Sequence, residues 1–192
     1  MNHRSLLLVG LVTAAAVTRI VPHPWNVTPI GATAILAGAC FPRLWQAFAL
    51  VFTVMALSDL TIELRRGAAL YPDIPFTYLA FAGMVTMGLL LRRNCKLFAV
   101  AAVSVVASLQ FFVVSNFGVW LIGGLYPRTL DGLGQCFVKA IPFYQWQFVC
   151  DILFTLAFWA LYRMAGGHAQ RQLDGTAASA TQLACIDQPP GR

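Results

Sequence analysis

The feature that most constrains this chain is a run from Leu97 to Ile122 that contains no charged residue. As an α-helix its 26 residues would extend about 39 Å, at 1.5 Å per residue. That length exceeds the roughly 30 Å hydrocarbon core of a bilayer. The whole chain is similar in character, with 59% hydrophobic and 10% charged residues, whereas soluble domains average about 25% charged residues. The sequence therefore predicts an all-α integral membrane protein.

Six apolar runs separated by charged residues or proline predict a six-transmembrane-helix bundle over residues 1–165. The second run is too short to cross comfortably alone, because a spanning helix needs about 20 residues. The first run also has the pattern of a cleavable signal peptide, and we expect it to be retained. Residues 166–192 are small and polar, which predicts a disordered cytoplasmic tail. The six runs are Ser5–Val21, Thr28–Phe41, Leu44–Leu60, Ile74–Leu91, Leu97–Ile122 and Trp146–Tyr162.

The distribution of basic residues predicts the orientation in the membrane. Six crossings place both termini on one side, and the cytoplasmic side of a membrane protein is enriched in lysine and arginine. We therefore expect both termini in the cytoplasm, and no nucleic-acid partner despite the net charge of +6. The basic residues on that side are Arg4, Arg43, Arg92, Arg93, Lys96, Arg163 and Arg171.

Three connections on the opposite side, at about 22–27, 61–73 and 123–145, hold most of the unusual polar and aromatic residues. Long loops are usually either functional or disordered, and these are rich in aromatic residues and proline. We therefore expect structured outer loops that form a lid over a pocket for a small molecule. The predicted ligand-binding residues are His23, Trp25, Asn26, Asp59, Tyr78, Asn116, Trp120, Tyr126, Arg128, Thr129 and Tyr144.

Structural alternatives exist for these residues. Trp and Tyr at the outer side are also expected in the aromatic belt of any membrane protein. An acidic side chain near the end of a span needs a partner, water or a cavity. Asp59 could form an ion pair with Arg19 or Arg65, and Asp151 could cap the first turn of the sixth span. Their common position favours a polar pocket.

No catalytic or metal-binding motif accompanies the pocket. The chain lacks GxSxG, HExxH and a phosphate-binding glycine loop, so we expect no enzyme and no intrinsic cofactor, with a membrane enzyme as an alternative. The five cysteines lack CxxC spacing, so no zinc site is indicated. Cys136 and Cys150 could be bridged or free, and we expect free thiols. Cys136 is a candidate soft metal ligand.

Small residues at helical spacing in the first two runs allow close helix packing. They predict either packing inside the bundle or a docking face for another membrane subunit. The predicted docking residues are Ala14, Gly31, Ala34 and Gly38.

Several segments resemble a family of bacterial membrane transport proteins that is similar to the substrate-binding subunits (S components) of energy-coupling-factor vitamin transporters. The resemblance covers about residues 15–165 and is closest to the solitary cobalamin-specific S components called BtuM. The segments that carry it are RIVPHPWNVTPIGATAILAGACF, the SD pair at 58–59, SNFGVWL at 115–121 and YPRTLDGLGQCFVKAIPFY at 126–144.

The resemblance implies an S-component-like bundle in the bacterial inner membrane that captures a vitamin-type ligand, with cobalamin as the first candidate, from the outer face for uptake. It implies pocket contacts from His23, Asp59 and Tyr78, and a separate energising module as partner. The chain departs from that group because its second outer connection has no cysteine to bind cobalt. His23 or Cys136 would then be the candidate cobalt ligand. An assembly protein with an outer polar pocket is a further alternative.

Overall fold

A computed structural model describes residues 3–20, 28–66, 71–93 and 96–186 of the chain, with side chains described only between Val9 and Met164 and not at every position there. These residues form six α-helices and no strand. The helices are α1 (His3–Ile20), α2 (Ile30–Cys40), α3 (Leu44–Arg66), α4 (Ile74–Gly88, extended by a 3-10 turn over Leu89–Arg92), α5 (Leu97–Ile122) and α6 (Leu130–Ile186).

Four of the described helices are long and apolar enough to cross a membrane. They cover Leu44–Arg65, Ile74–Arg92, Leu97–Ile122 and Leu130–Met164, and α2 is a shorter apolar helix of 11 residues. For the described residues, the prediction of an all-α protein with helices that could span a membrane is confirmed. Six crossings and a lid stay predictions.

The last helix departs most from the sequence prediction. It begins at Leu130 instead of Trp146, and it continues to Ile186, across most of the stretch for which we expected disorder. Thr129 explains the earlier start, because its Oγ1 accepts a hydrogen bond from the Gly132 backbone N–H (3.1 Å) as a helix N-cap. Pro142 lies inside α6 without ending it.

The second and third predicted outer connections are shorter in the structure. Residues 61–66 belong to α3, and residues 130–145 belong to α6. Only residues 123–129 are left to connect α5 with α6. Two of these connections lie outside the described residues wholly or in part, at 21–27 and 67–70.

Helix α2 lies at the centre of the bundle, with every residue from Ile30 to Gly38 buried. Gly38 contacts the Val85 carbonyl of α4, and Gly88 of α4 contacts the Ile35 carbonyl of α2. A β-carbon at either glycine would collide with the facing carbonyl oxygen, so both positions require glycine for this close approach. Gly31, Ala34 and Gly38 are buried, so they pack inside the bundle, which was our alternative to a docking face. Ala14, the fourth predicted docking residue, is exposed.

Arg92 fixes the far end of α2. Its Nε donates to the Gly38 carbonyl (3.0 Å) and its Nη2 to the Phe41 carbonyl (2.6 Å). These carbonyls at the end of α2 have no partner within the helix, so the arginine provides their hydrogen bonds. Its positive charge also interacts favourably with the negative end of the helix dipole. The end of α4 therefore holds the end of α2 in place.

Replacing Gly88 by alanine tests the close approach of α2 and α4. The added methyl would press on the Ile35 carbonyl, and overpacking of this kind costs about 1–3 kcal/mol. We expect a lower midpoint of thermal unfolding for Gly88→Ala in lipid nanodiscs.

Gly134→Ala is the matched control, since no atom lies within 4 Å of a β-carbon at this position in α6. Its stability should be unchanged or higher by about 1 kcal/mol, from helix propensity. Equal midpoints for the two variants would contradict the close approach.

Candidate ligand-binding cavity

A cavity of about 660 Å³ lies at the end of the bundle where α2 and α4 begin and α3 and α5 end. The first half of the spanning part of α6 closes its side. This is the end that carries the α1–α2, α3–α4 and α5–α6 connections. The volume lies within the roughly 300–1,000 Å³ of small-molecule pockets.

Aromatic rings form much of the cavity wall. The Phe112 ring of α5 lies 4.4 Å from the Tyr144 ring of α6 between centroids, and Phe111 of α5 meets Phe81 of α4 edge to face at 4.8 Å. Contacts between rings on three helices hold the wall in a defined shape. The aromatic lining residues are Tyr71, Phe81, Phe111, Phe112, Phe143 and Tyr144.

Asp151 brings a carboxyl group to this apolar surface. Its side chain is 2% exposed and lines the cavity from α6. Oδ1 lies so close to Gly31 of α2 that a β-carbon there would collide with it. The neutral side chains of Ser108 and Gln147 lie close enough to favour the charged form of the Asp151 carboxyl group. Neither Oδ2 nor the Ser108 hydroxyl makes a hydrogen bond of ordinary geometry. A buried carboxyl group without a positively charged neighbour among the described lining residues is costly, so this one calls for a specific explanation.

The position of Asp151 corrects the sequence interpretation. We offered it as a cap of the first turn of the sixth span, but α6 begins at Leu130, well before it. Ala140, Tyr144, Gln147 and Asp151 all line the cavity, at spacings of four, three and four residues. That spacing marks one face of a helix. This spacing was present in the sequence, but we missed it because the predicted helix began at Trp146 and so left out Ala140 and Tyr144.

The SNFG segment of α5 provides a second polar part of the wall. Asn116 Nδ2 donates to the Phe112 carbonyl (2.8 Å), and Ser115 Oγ donates to the Phe111 carbonyl (2.7 Å). Both side chains line the cavity. Gly118, one turn farther on, is buried against the Phe76 ring of α4, with no room for a β-carbon. The motif therefore combines a polar lining with close packing of α4 on α5.

The structure brings only some of the predicted ligand-binding residues to the cavity. Asn116 and Tyr144 line it. His23, Trp25 and Asn26 lie outside the described residues.

Other predicted residues hold helices together at the same end of the bundle. Tyr78 Oη donates to Asp59 Oδ2 (3.0 Å), which joins α4 to α3. Trp120 Nε1 donates to the Pro127 carbonyl (3.0 Å) and, with the Thr129 cap, fixes the α5–α6 connection.

Two more predicted residues lie on the α5–α6 connection. Lys139 Nζ lies 5.8 Å from the centre of the Tyr126 ring, and Arg128 is exposed. The predicted residues that the structure describes outside the cavity lining are thus Asp59, Tyr78, Trp120, Tyr126, Arg128 and Thr129.

Of the two alternative cobalt ligands, the structure describes only Cys136. Cys136 is buried, and its thiol donates to the Asn116 carbonyl (3.5 Å) instead of lining the cavity. His23 lies outside the described residues. Among the residues that the structure describes, no group of three or more His, Cys, Asp or Glu could hold a metal ion. Cys136 and Cys150 are free thiols.

Comparison with known proteins identifies a family without a known activity. No curated protein and no solved structure matches this chain. The family of unknown function DUF6580 matches residues 1–174, a range that contains every described residue lining the cavity. The chain therefore belongs to the DUF6580 family of unknown function.

Proposed function

We propose that this protein is a membrane-embedded binding protein of the S-component type, which captures a vitamin-type small molecule for uptake. The observation that carries the proposal is the cavity of about 660 Å³ at one end of the bundle. It combines a wall of aromatic rings with a few polar side chains and a buried carboxyl group. Such a combination is typical of sites that bind amphipathic small molecules.

Binding fits the described lining better than catalysis. Ser115, the serine of the lining, donates to a backbone carbonyl and not to a base. An activated nucleophile would need a base within hydrogen-bond reach. An assembly role is favoured less because the small residues of α2 pack inside the bundle.

The proposed lid is supported by two residues within outer connections. Thr28 lies in the α1–α2 connection just before α2, and Tyr71 lies in the α3–α4 connection just before α4. Both line the cavity. Small movements of these connections would open and close the pocket, and a ligand as large as cobalamin would need such an opening. Transport would need energy from a separate module, because no nucleotide-binding motif occurs in the chain.

A tryptophan at Ala140 tests whether the cavity holds the ligand. Ala140 lines the cavity, so Ala140→Trp would fill part of it. We expect wild-type protein from cells grown in rich medium to carry a small molecule, detected by native mass spectrometry. The variant should carry none, because its ring occupies the space. Visible absorbance, and binding of added cobalamin, would identify a corrinoid.

Ala157→Trp is the matched control, because Ala157 is exposed on the same helix and lies outside the lining. It should retain the small molecule. If neither the wild type nor the control carries or binds a small molecule, from the medium or from an added vitamin panel including cobalamin, the proposed function is wrong.

The proposed inner-membrane orientation can be tested with epitope tags. A tag between Gly124 and Leu125 would lie in the α5–α6 connection, at a glycine with φ of 73° and open space around it. We expect antibodies to reach this tag in spheroplasts, since the basic residues assign this end to the outer side. A tag between residues 94 and 95 should be reached only after permeabilisation. The reverse pattern would contradict the orientation.

A further inference from the structure

The negative charge of the Asp151 carboxylate has no full positive charge opposite it among the described residues that line the cavity. The beginning of α2 contacts it at Gly31 and contributes the positive end of a helix dipole, about half an elementary charge. Among the described residues that line the cavity, none is Lys, Arg or His. Ser108 and Gln147 lie close enough to favour the charged form of the carboxyl group, but both side chains are neutral. Oδ2 is buried and makes no hydrogen bond of ordinary geometry. A buried carboxylate in such a place is stabilised when a positive charge approaches it.

The rest of the cavity selects what kind of positive charge can approach. A volume of about 660 Å³ is far larger than a single metal ion needs. The rings of Tyr144 and Phe112 lie close together on the wall, with an angle of 34° between their planes. The faces of aromatic rings attract organic cations, most strongly where water is excluded. Apolar walls with one carboxylate therefore suit a molecule with an apolar body and one positive nitrogen.

We propose that the ligand of this cavity is an amphipathic organic cation whose positive nitrogen pairs with Asp151. This inference rests on the proposed binding function and adds the chemical class of the ligand. The nitrogen lies against the carboxylate beside Gly31, and the apolar body lies against the rings of Phe111, Phe112 and Tyr144. Gly31 is needed because any side chain there would displace the carboxylate.

The test uses two probes that differ in one atom. Phenyltrimethylammonium carries a permanent positive charge, and tert-butylbenzene is its neutral carbon isostere. Binding of each is measured by calorimetry with purified protein in lipid nanodiscs, and empty nanodiscs correct for partitioning into lipid. Ala140→Trp identifies the part of the signal that comes from the cavity.

We expect the wild type to bind the cation at least about tenfold more tightly than the neutral isostere, a difference of about 1.4 kcal/mol. Asp151→Asn, which keeps the shape and removes the charge, should weaken cation binding at least about tenfold, as loss of a buried charge partner does. Its affinity for the neutral isostere should be unchanged. Asp131→Asn is the matched control on the same helix, because Asp131 is exposed and bonded to Gln135 (2.7 Å). It should bind both probes like the wild type.

Equal affinity of the wild type for the two probes, both lost in Ala140→Trp, would overturn this inference and leave the proposed function intact. Unchanged cation binding by Asp151→Asn would also overturn it. Absence of binding by either probe would overturn this inference, and it would overturn the proposed function as well if no co-purified molecule and no member of the vitamin panel binds. The wild-type comparison decides the question even if Asp151→Asn does not fold.

Discussion

The close approach of α2 and α4 is the constraint on which the rest of the structure depends. Helix α2 has 11 residues and extends about 16 Å, roughly half the thickness of a bilayer core. Such a helix is accommodated by surrounding it with protein, and its residues from Ile30 to Gly38 are all buried. Backbone contact at Gly38 and Gly88 supplies the van der Waals packing that holds helices together where the hydrophobic effect between them is weak.

The cavity lies at the beginning of α2, opposite the end that Arg92 fixes. Thr28, Ile30 and Gly31 line it there. Longer helices on the remaining sides bring aromatic rings to that space. The beginning of α2 also contacts the carboxyl group of Asp151 through Gly31. A single packing arrangement thus positions both the volume and the charge on which the proposed function rests.

The sequence predicted some elements well and others poorly, for physical reasons. The boundaries of α5 are those of the charge-free run, because Lys96 precedes it and two glycines follow it. The predicted start of α6 at Trp146 was wrong because Pro142 and the glycines before it are residue types that are common in loops. The helix begins at Leu130, where Thr129 caps it.

The same error concealed the face of α6 that lines the cavity. Asn116 and Tyr144 were predicted from their position at the outer side, and both line the cavity. The environment of Asp151 depends on the approach of α2, a contact that no local pattern in the sequence specifies. Asp59 and Tyr78 were grouped with the pocket by their depth in the membrane, yet they bond to each other between α3 and α4.

An experimental structure of the protein in lipid nanodiscs, purified from cells without added ligand, tests the central claim most directly. The account predicts discrete non-protein density in the cavity, in contact with Asp151 and with the rings of Phe112 and Tyr144. A cavity filled by side chains or by lipid acyl chains, with Asp151 bonded to another residue of the protein, would contradict it.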